Sequence, residues 1–219
     1  MDLREVESTE ADFLVIGGGL AGLYAAYCAA RRGSVALVTK SAISESNSAW
    51  AQGGVAAAVS PDDSPQLHQE DTLLAGRGLC NVKAVEILTK EGPERIREVE
   101  ALGAQFDRTA AGFDLGREGG HGRRRILHAE GGATGGHLVK VMTRRVWETN
   151  SIRVYEYTGA LNLLSEGEQC FGALTCDLRT RRFKVFLAAQ TVLATGGAAG
   201  LFRRTTNPPG AETAIEMST

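Results

Sequence analysis

The chain has 219 residues, 43% of them hydrophobic, with 24 basic and 26 acidic residues and a net charge of -2. This near balance of charge gives no strong field for nucleic acid or an anionic membrane, so we expect a small-molecule partner. Glycine is the unusual residue: the 27 glycines make up about 12% of the chain, against an average of about 7%. They stand in clusters, which indicates backbone that lies against a ligand.

The N-terminal segment and the cysteines indicate a protein of the cytoplasm. The uncharged stretch Phe13–Ala30 approaches the length of a membrane span, but its clustered glycines would break a lipid-exposed helix. Residues 1–10 read as an acidic tail and not as a signal peptide. The four cysteines show no CxxC pair and no spacing suited to zinc, so we expect reduced thiols, no metal site and no membrane partner.

The first predicted elements are a buried strand over Phe13–Ile16, a glycine turn, and an alanine-rich helix that Gly33 ends in a left-handed cap. In this GxGxxG pattern, Gly17 permits the tight turn, Gly19 lets the backbone approach a pyrophosphate, and Gly22 lets the helix pack on the sheet. The predicted nucleotide contacts are Gly17, Gly18, Gly19, Leu20, Ala21 and Gly22. The alternative is a glycine turn that holds no ligand.

The second predicted strand, Ser34–Thr39, completes a strand-helix-strand unit of the length that a right-handed parallel crossover needs. In this fold an acidic residue normally follows the second strand and binds the adenosine ribose. Here that position is Thr39 or Lys40, and Lys40 can approach a phosphate. The missing acid weakens the case for NAD without by itself proving FAD.

The rest of the chain predicts helices and then strands. Between Gln66 and Gly103 we expect helices, with Asn81 capping one and Pro93 opening the next. A loop over Gly112–Gly122 and a helix over Thr134–Thr149 follow. The predicted later strands are Arg153–Tyr157, Ala160–Leu164, Cys170–Leu178, Arg182–Leu187 and Thr191–Thr195. The fold class is therefore α/β: one Rossmann-like domain over 11–219, with a central parallel sheet and an added small β-rich section.

Three motifs in order carry a resemblance to a known family. They are SESNSAWAQGGVAAAV from Ser44, REGGHGRRRILHAEGGATG from Arg117 and VLATGGAAGLFRRTTNP from Val192. Together they resemble the succinate dehydrogenase and fumarate reductase flavoprotein family, and particularly its L-aspartate oxidases. The resemblance implies an FAD-binding domain. Respiratory members attach the flavin to a His where this chain has Asn47 and Ser48, so the FAD is expected to be noncovalent.

The first of these motifs supplies the predicted flavin contacts. Ser48, Gln52 and the amides of the following glycines can donate to the polar edge of the flavin or to phosphate. Trp50 either stacks near the cofactor or is a core aromatic residue. The predicted contacts are Asn47, Ser48, Ala49, Trp50, Ala51, Gln52, Gly53 and Gly54, and by resemblance Gly159 and Ala160 contact the adenine end through their backbone.

The segment around Glu118 admits two interpretations. By charge pattern alone, three adjacent arginines after His121 favour a solvated basic loop. By resemblance, the motif borders the substrate site, Glu118 attracts the amino group of aspartate, and His121 also lies at that site. His121 and Arg124 would then orient the loop or the flavin and not react, and His128 would be a packed, hydrogen-bonded histidine.

The resemblance implies FAD-dependent oxidation of L-aspartate to iminoaspartate for quinolinate and NAD synthesis. Oxygen or fumarate would accept the electrons, and quinolinate synthase could receive the product. The alternatives are a fumarate reductase or succinate dehydrogenase flavoprotein, and an inactive FAD-binding fragment. Relative to the family the chain is expected to be incomplete, with the capping domain, its catalytic Arg and the helical domain beyond it. A family Gly-Asp-Gly motif is replaced here by residues Gly210 to Thr213.

Overall fold

The computed structural model describes residues 6–197 and 203–205. Their elements, in chain order, are β1 (Glu7–Ile16), α1 (Leu20–Ala29), β2 (Val35–Val38), α2 (Asn47–Trp50), β3 (Val55–Ala56), α3 (Pro65–Ala75), α4 (Val82–Ala101), β4 (Arg108–Thr109), β5 (Gly112–Phe113), β6 (Leu115–Gly116), β7 (Ile126–Leu127), α5 (Thr134–Trp147), β8 (Ile152–Tyr155), β9 (Thr158–Glu166), β10 (Gln169–Asp177) and β11 (Phe183–Leu193).

The chain divides into two compact units. The first unit consists of the described residues of Met1–Trp50 and Met142–Thr219, and the second unit is Ala51–Val141. The prediction of a single domain over 11–219 stays a prediction. The replaced motif at 210–213 and the end of the TTNP motif, 206–208, lie outside the described residues.

The first unit contains a six-stranded sheet in the order β8-β2-β1-β11-β10-β9. The strands from β8 to β11 in this order pair in parallel, whereas β10 is antiparallel to both β11 and β9. All four residues of β2 are buried, as is typical of a parallel strand covered on both faces. The predicted mixed α/β fold with a mostly parallel central sheet is therefore confirmed.

Two predicted strand boundaries in this sheet are wrong, and both errors have the same cause. β1 begins at Glu7, six residues before the predicted start at Phe13, and it pairs with β11 from Glu7 opposite Lys184 to Ile16 opposite Leu193. The strands predicted as Arg182–Leu187 and Thr191–Thr195 form one strand. Because each strand supplies hydrogen-bond partners to the other, both continue through polar residues that the sequence pattern excludes.

The prediction for Gly33 is also wrong. Helix α1 ends at Ala29, and its C-cap Ala30 keeps a right-handed helical conformation. A Cβ atom at Gly33 would lie 2.5 Å from Asp12 Oδ2. That carboxylate accepts hydrogen bonds from the backbone N and the Oγ of Ser34, each at 2.7 Å, and these bonds lower the pKa of Asp12. Gly33 is thus needed for close approach between chain segments and not for a cap.

The second unit contains α3, α4, the first part of α5 and small sheets. Its three-stranded sheet has the order β3-β7-β6, and β4 pairs with β5. Ser64 caps α3, where its side chain accepts from Leu67 N. Asn81 caps α4, as predicted, by accepting from Ala84 N at 3.1 Å. Most of the predicted loop at 112–122 is irregular, but it includes the short strands β5 and β6.

Pro93 lies inside α4, so the prediction that it opens a new helix is wrong. A proline normally disfavours helical conformation in the residue before it, because its ring meets the Cβ of that residue. The preceding residue here is Gly92, which has no Cβ. The helix can therefore continue through the proline, although Pro93 supplies no backbone N–H to the ladder.

The remaining predicted elements are present. The helix expected over Thr134–Thr149 is α5, and the strands expected between Arg153 and Leu187 are β8 to β11 with shifted ends. All four cysteines are free thiols. Across residues 6–197 and 203–205, no helix combines the length and apolar character that a membrane crossing requires.

Candidate functional site

The glycine turn in the first unit joins β1 to α1 with very little space. Gly17 has a φ of +122°, and a Cβ there would lie 2.2 Å from the carbonyl oxygen of Ala194. A Cβ at Gly22 would lie 1.9 Å from the carbonyl oxygen of Gly17. Real Cβ atoms do not approach other atoms so closely, so the fold itself requires glycine at both positions.

Gly19 is different from these two glycines. Its φ is -74°, which any L-residue can adopt, and the nearest atom to an added Cβ is Ser48 Oγ at 3.4 Å. The packing of the protein therefore tolerates a methyl group at this position. Because the fold does not demand glycine here, a ligand that approaches the backbone is the simpler reason for it.

The N-terminus of α1 can hold an anion. Leu20 N donates to Ser48 Oγ at 3.2 Å, and the first backbone bond of the helix runs from Leu23 N to Gly19 O. The first turn, which includes Ala21 and Gly22, carries no acidic side chain. The positive end of the helix dipole is therefore not neutralised by the helix itself, as a pyrophosphate site requires.

The end of β2 lies beside the start of β9. Thr39 is buried, its N donates to Tyr155 O, and its carbonyl accepts from Thr158 N at 2.9 Å. This brings Gly159 and Ala160, which follow Thr158 in β9, close to Thr39 and the exposed Lys40. These residues are 120 positions apart in sequence and meet at the end of β2. We predict that they bind the adenosine end of one nucleotide.

Helix α2 carries Asn47, Ser48, Ala49 and Trp50. Asn47 Oδ1 is buried and has no hydrogen-bond partner among the described residues. Such an acceptor normally has a donor, and hydroxyl or N–H groups of a nucleotide cofactor can supply one. Trp50 is 60% exposed, so the interpretation of Trp50 as a core residue is wrong, while its stacking on a cofactor stays a prediction.

The next part of the motif belongs to the second unit. Ala51 O accepts a hydrogen bond from Gly135 N at 3.1 Å. Gly54 is required by packing, because a Cβ there would lie 2.3 Å from Leu127 O. Gln52 and Gly53 are exposed. A Cβ placed on Gly53 would lie 3.9 Å from Glu118 Oε1, so the structure brings the predicted substrate residue next to the predicted flavin loop.

The Glu118 segment is partly the solvated loop that its charges suggest. Glu118, Arg123 and Arg124 are exposed, and Arg124 donates to the carbonyl of Leu115 at 3.2 Å. His121 is half-buried, and its backbone N donates to Glu118 O at 3.2 Å. The loop therefore presents one free carboxylate and one imidazole on a short turn.

Arg125 is the residue whose environment the sequence pattern does not reveal. Its side chain is fully buried. The Nε and Nη2 atoms donate to the two carboxylate oxygens of Asp63 at 2.8 and 2.9 Å, and Nη1 donates to Asp71 Oδ2 at 2.8 Å. The only sequence signal is its position directly before the buried strand β7, and three adjacent arginines obscure that signal.

Two histidines lie near these charged groups. His68 is buried, and the centre of its ring lies 5.7 Å from the centre of the His121 ring. Burial, and after it the charge of Arg125, lower the pKa of His68, so this ring is neutral at neutral pH. His128 is packed beside Gly54 and Gly116, where a Cβ at Gly116 would lie 2.7 Å from its Nε2. The prediction that His128 is a packed histidine agrees with this position.

Comparison with known proteins bears on this arrangement. The FAD binding domain family matches residues 12–218. An L-aspartate oxidase of Agrobacterium fabrum is 44% identical over 199 residues, which cover 90% of this chain and 38% of the relative. The chloroplastic L-aspartate oxidase 2-b of Nicotiana tabacum is 42% identical over 202 residues, which cover 90% of this chain and 31% of the relative.

Solved structures of respiratory enzymes share the fold. The Mycobacterium smegmatis Sdh1 complex matches with a TM-score of 0.87 and 33% identity, over 93% of this chain and 37% of that one. The E. coli quinol fumarate reductase matches with a TM-score of 0.89 and 27% identity, over 93% and 35%. The predicted resemblance is confirmed, and the chain spans about a third of the length of these relatives.

The ion pairs of Arg125 predict a large and local effect on stability. Arg125→Met leaves the buried Asp63 carboxylate without its ion-pair partner and with only the hydrogen bond from Ser64 N, so we expect the free energy of unfolding to fall by about 3–5 kcal/mol. The neighbouring exposed residue is a matched control, and Arg124→Met should change stability by less than about 0.5 kcal/mol. Urea denaturation of both variants measures the difference. Equal changes in the two variants would contradict the buried pairing.

Proposed function

The chain belongs to the FAD binding domain family, and we propose that it forms the FAD-binding part of an L-aspartate oxidase. The identities of 44% and 42% to oxidases, against 33% and 27% to the respiratory enzymes, support this choice. Because the chain spans about a third of these relatives, the proposed reaction is that of the whole protein. The substrate is L-aspartate, and the product is iminoaspartate.

Residues of the first unit fit the nucleotide end of FAD. The open position at Gly19 leaves room for the pyrophosphate, and the first turn of α1 offers amide groups and a positive dipole end. Lys40, Gly159 and Ala160 are proposed to lie along the adenosine. The unpartnered Asn47 Oδ1 can accept a hydrogen bond from the cofactor. With Asn47 and Ser48 at the position of covalent attachment, neither residue offers an imidazole, so the FAD is proposed to be noncovalent.

The proposal for the substrate rests on one observation, the carboxylate of Glu118 beside Gly53. An exposed carboxylate next to the flavin loop suits the ammonium group of aspartate and repels a plain dicarboxylate such as succinate. His121, on the same turn, can donate to a substrate carboxylate through its ring. When bound, FAD supplies the flavin ring that accepts two electrons from the substrate, while Glu118 and His121 orient the α-carbon.

The same proposal covers the fate of electrons and product. Oxygen or fumarate is the proposed electron acceptor, and iminoaspartate is proposed to pass to quinolinate synthase. The second candidate is a respiratory flavoprotein subunit. Its support is the similarity of fold, with TM-scores of 0.87 and 0.89. Covalent flavin would distinguish that candidate, because its members need a His at the position of Asn47 or Ser48.

Noncovalent FAD is tested by acid precipitation of the full-length protein that carries this chain. We expect the native protein to be yellow and all of its flavin to appear in the acid supernatant as FAD, because no imidazole is available at residues 47 and 48. Absorbance of the pellet and the supernatant measures the partition. Flavin retained by the pellet would reject the noncovalent assignment.

The role of Gly19 is tested with a methyl group that the protein tolerates but a pyrophosphate does not. We expect Gly19→Ala to keep the thermal unfolding midpoint of the apoprotein and to weaken FAD binding by about tenfold or more. Titration of apoprotein with FAD, followed by flavin fluorescence, measures the affinity. Gly22→Ala is the contrasting variant, since its Cβ meets Gly17 O at 1.9 Å and it should lose the fold as well. Unchanged affinity in Gly19→Ala would remove the assigned role.

Glu118 is tested by comparing substrates that differ in one ammonium group. A charge-assisted contact contributes about 1.5–3 kcal/mol, or on the order of ten- to a hundredfold in affinity. In the full-length enzyme, Glu118→Gln should lower kcat/KM for aspartate oxidation by that factor and leave fumarate reduction with an artificial donor nearly unchanged. Equal losses in both reactions would assign Glu118 to the flavin or the fold instead.

A further inference from the structure

We propose that Asp71 and Arg125 are positioning residues that hold the turn from Glu118 to His121 in the place where Glu118 selects the amino group of the substrate. This inference rests on the proposed function of Glu118 and deepens it. The ion-pair cluster consists of Asp63, Asp71 and Arg125. The inference gives this cluster a role in substrate selection, although its side chains do not contact the carboxylate of Glu118.

The cluster is a rigid base. Arg125 uses three of its nitrogen atoms on two carboxylates, and the two contacts to Asp63 are bidentate, which fixes the plane of the guanidinium. Asp63 directly precedes the N-cap of α3, and Asp71 lies within α3. One carboxylate therefore lies on the helix and the other directly before it, and the guanidinium cannot shift without breaking bonds to this segment.

The cluster also holds both ends of the turn. Arg125 N donates to the carbonyl of Gly116 at 3.1 Å, directly before residue 117. Gly122 N donates to Asp71 Oδ2 at 2.6 Å, directly after His121. This backbone bond is the main reason that the pKa of Asp71 lies below its usual value, ahead of its contact with Arg125. The segment between 116 and 122 is thus attached to the backbone of Arg125 at one end and to the side chain of Asp71 at the other.

The turn has little of its own to hold it. A Cβ on Gly119 would meet no atom within 4 Å, and Gly120 has a φ of +86°. The backbone bond from His121 N to Glu118 O, at 3.2 Å, closes the turn. The Glu118 carboxylate is exposed, so the two attached ends of the turn are the main restraint on its position.

The guanidinium also orients the His121 ring. Arg125 Nη1 lies 3.5 Å from His121 Nδ1. A guanidinium can only donate, so Nδ1 is the acceptor in this contact. His68, on the neighbouring helix, has a lowered pKa and adds no second positive charge at this ring.

The energetics agree with a positioning task. A buried ion pair gains little stability over apolar residues of the same volume, because removing the charges from water costs about as much as their attraction returns. Aliphatic side chains of similar volume at positions 63, 71 and 125 would fill the same space. Charged groups in this place are therefore better explained by what they hold in a fixed direction, and Asp71 holds the backbone of the turn at Gly122.

The test is a double-mutant cycle in the FAD-loaded, full-length protein. Asp71→Asn keeps the shape of the side chain but loses its charge toward Arg125. We expect it to lower kcat/KM for aspartate by about tenfold and to lower fumarate reduction by a clearly smaller factor, because fumarate has no ammonium group for Glu118 and keeps only its contact with His121. In a Glu118→Gln background, the same change should cost aspartate oxidation only the factor seen for fumarate, since the carboxylate being positioned is gone. Asp62→Asn, at the exposed neighbour of Asp63, is the control and should change neither reaction.

Two further measurements separate the possible failures. In the native protein, trypsin should cleave after Arg117 and Arg123 faster in Asp71→Asn than in the unchanged protein, because an amide oxygen holds Gly122 N and Arg125 less strongly than a carboxylate oxygen does. Gly122→Ala, whose Cβ would lie 3.1 Å from both Asp71 oxygens, should do the same while leaving all charges in place. If Glu118→Gln shows no selective loss, the proposed function fails, whereas faster cleavage still supports the attached turn. Additive losses in the cycle, or unchanged cleavage in both variants, would overturn the positioning role.

Discussion

A guanidinium that has no access to water must be matched by carboxylates, and this requirement organises the second unit. Arg125 joins residues before β7 to the start and the middle of α3, and its backbone also pairs with Gly116 and Ala57. A segment that would otherwise be a loose glycine-rich turn is thereby attached to a helix. The candidate substrate residue Glu118 is exposed, and its proposed position depends on bonds that attach the backbone on either side of it to Arg125 and Asp71.

In the first unit, the constraint that determines the structure is the close approach of backbone segments. Gly17 and Gly22 lie so near to Ala194 and to each other that any side chain would collide. Gly19 stands between them without such a neighbour. The same motif thus contains glycines with two kinds of task, fold packing and ligand access, and the distances from an added Cβ distinguish them. This distinction supports a nucleotide at the turn more directly than the motif itself.

The fold does not choose between the candidate reactions. TM-scores near 0.9 link the chain to respiratory flavoproteins, while the higher sequence identities link it to L-aspartate oxidases. A shared fold carries different chemistries, so the choice depends on particular residues. Here the choice between the candidate reactions depends on two sites. One is Asn47 and Ser48, where covalent flavin would need an imidazole, and the other is Glu118, beside Gly53.

Local signals in the sequence were sufficient for the strand-turn-helix around Gly17, for the Asn81 cap and for α5, because a short-range pattern of apolar, glycine and capping residues forms each of them. Only the tertiary structure decided the length of β1 and β11, since each strand extends by pairing with the other. It also decided that Gly33 makes room for Asp12 and that Arg125 is buried. A partner distant in sequence fixes each of these features, and no window of neighbouring residues contains that partner.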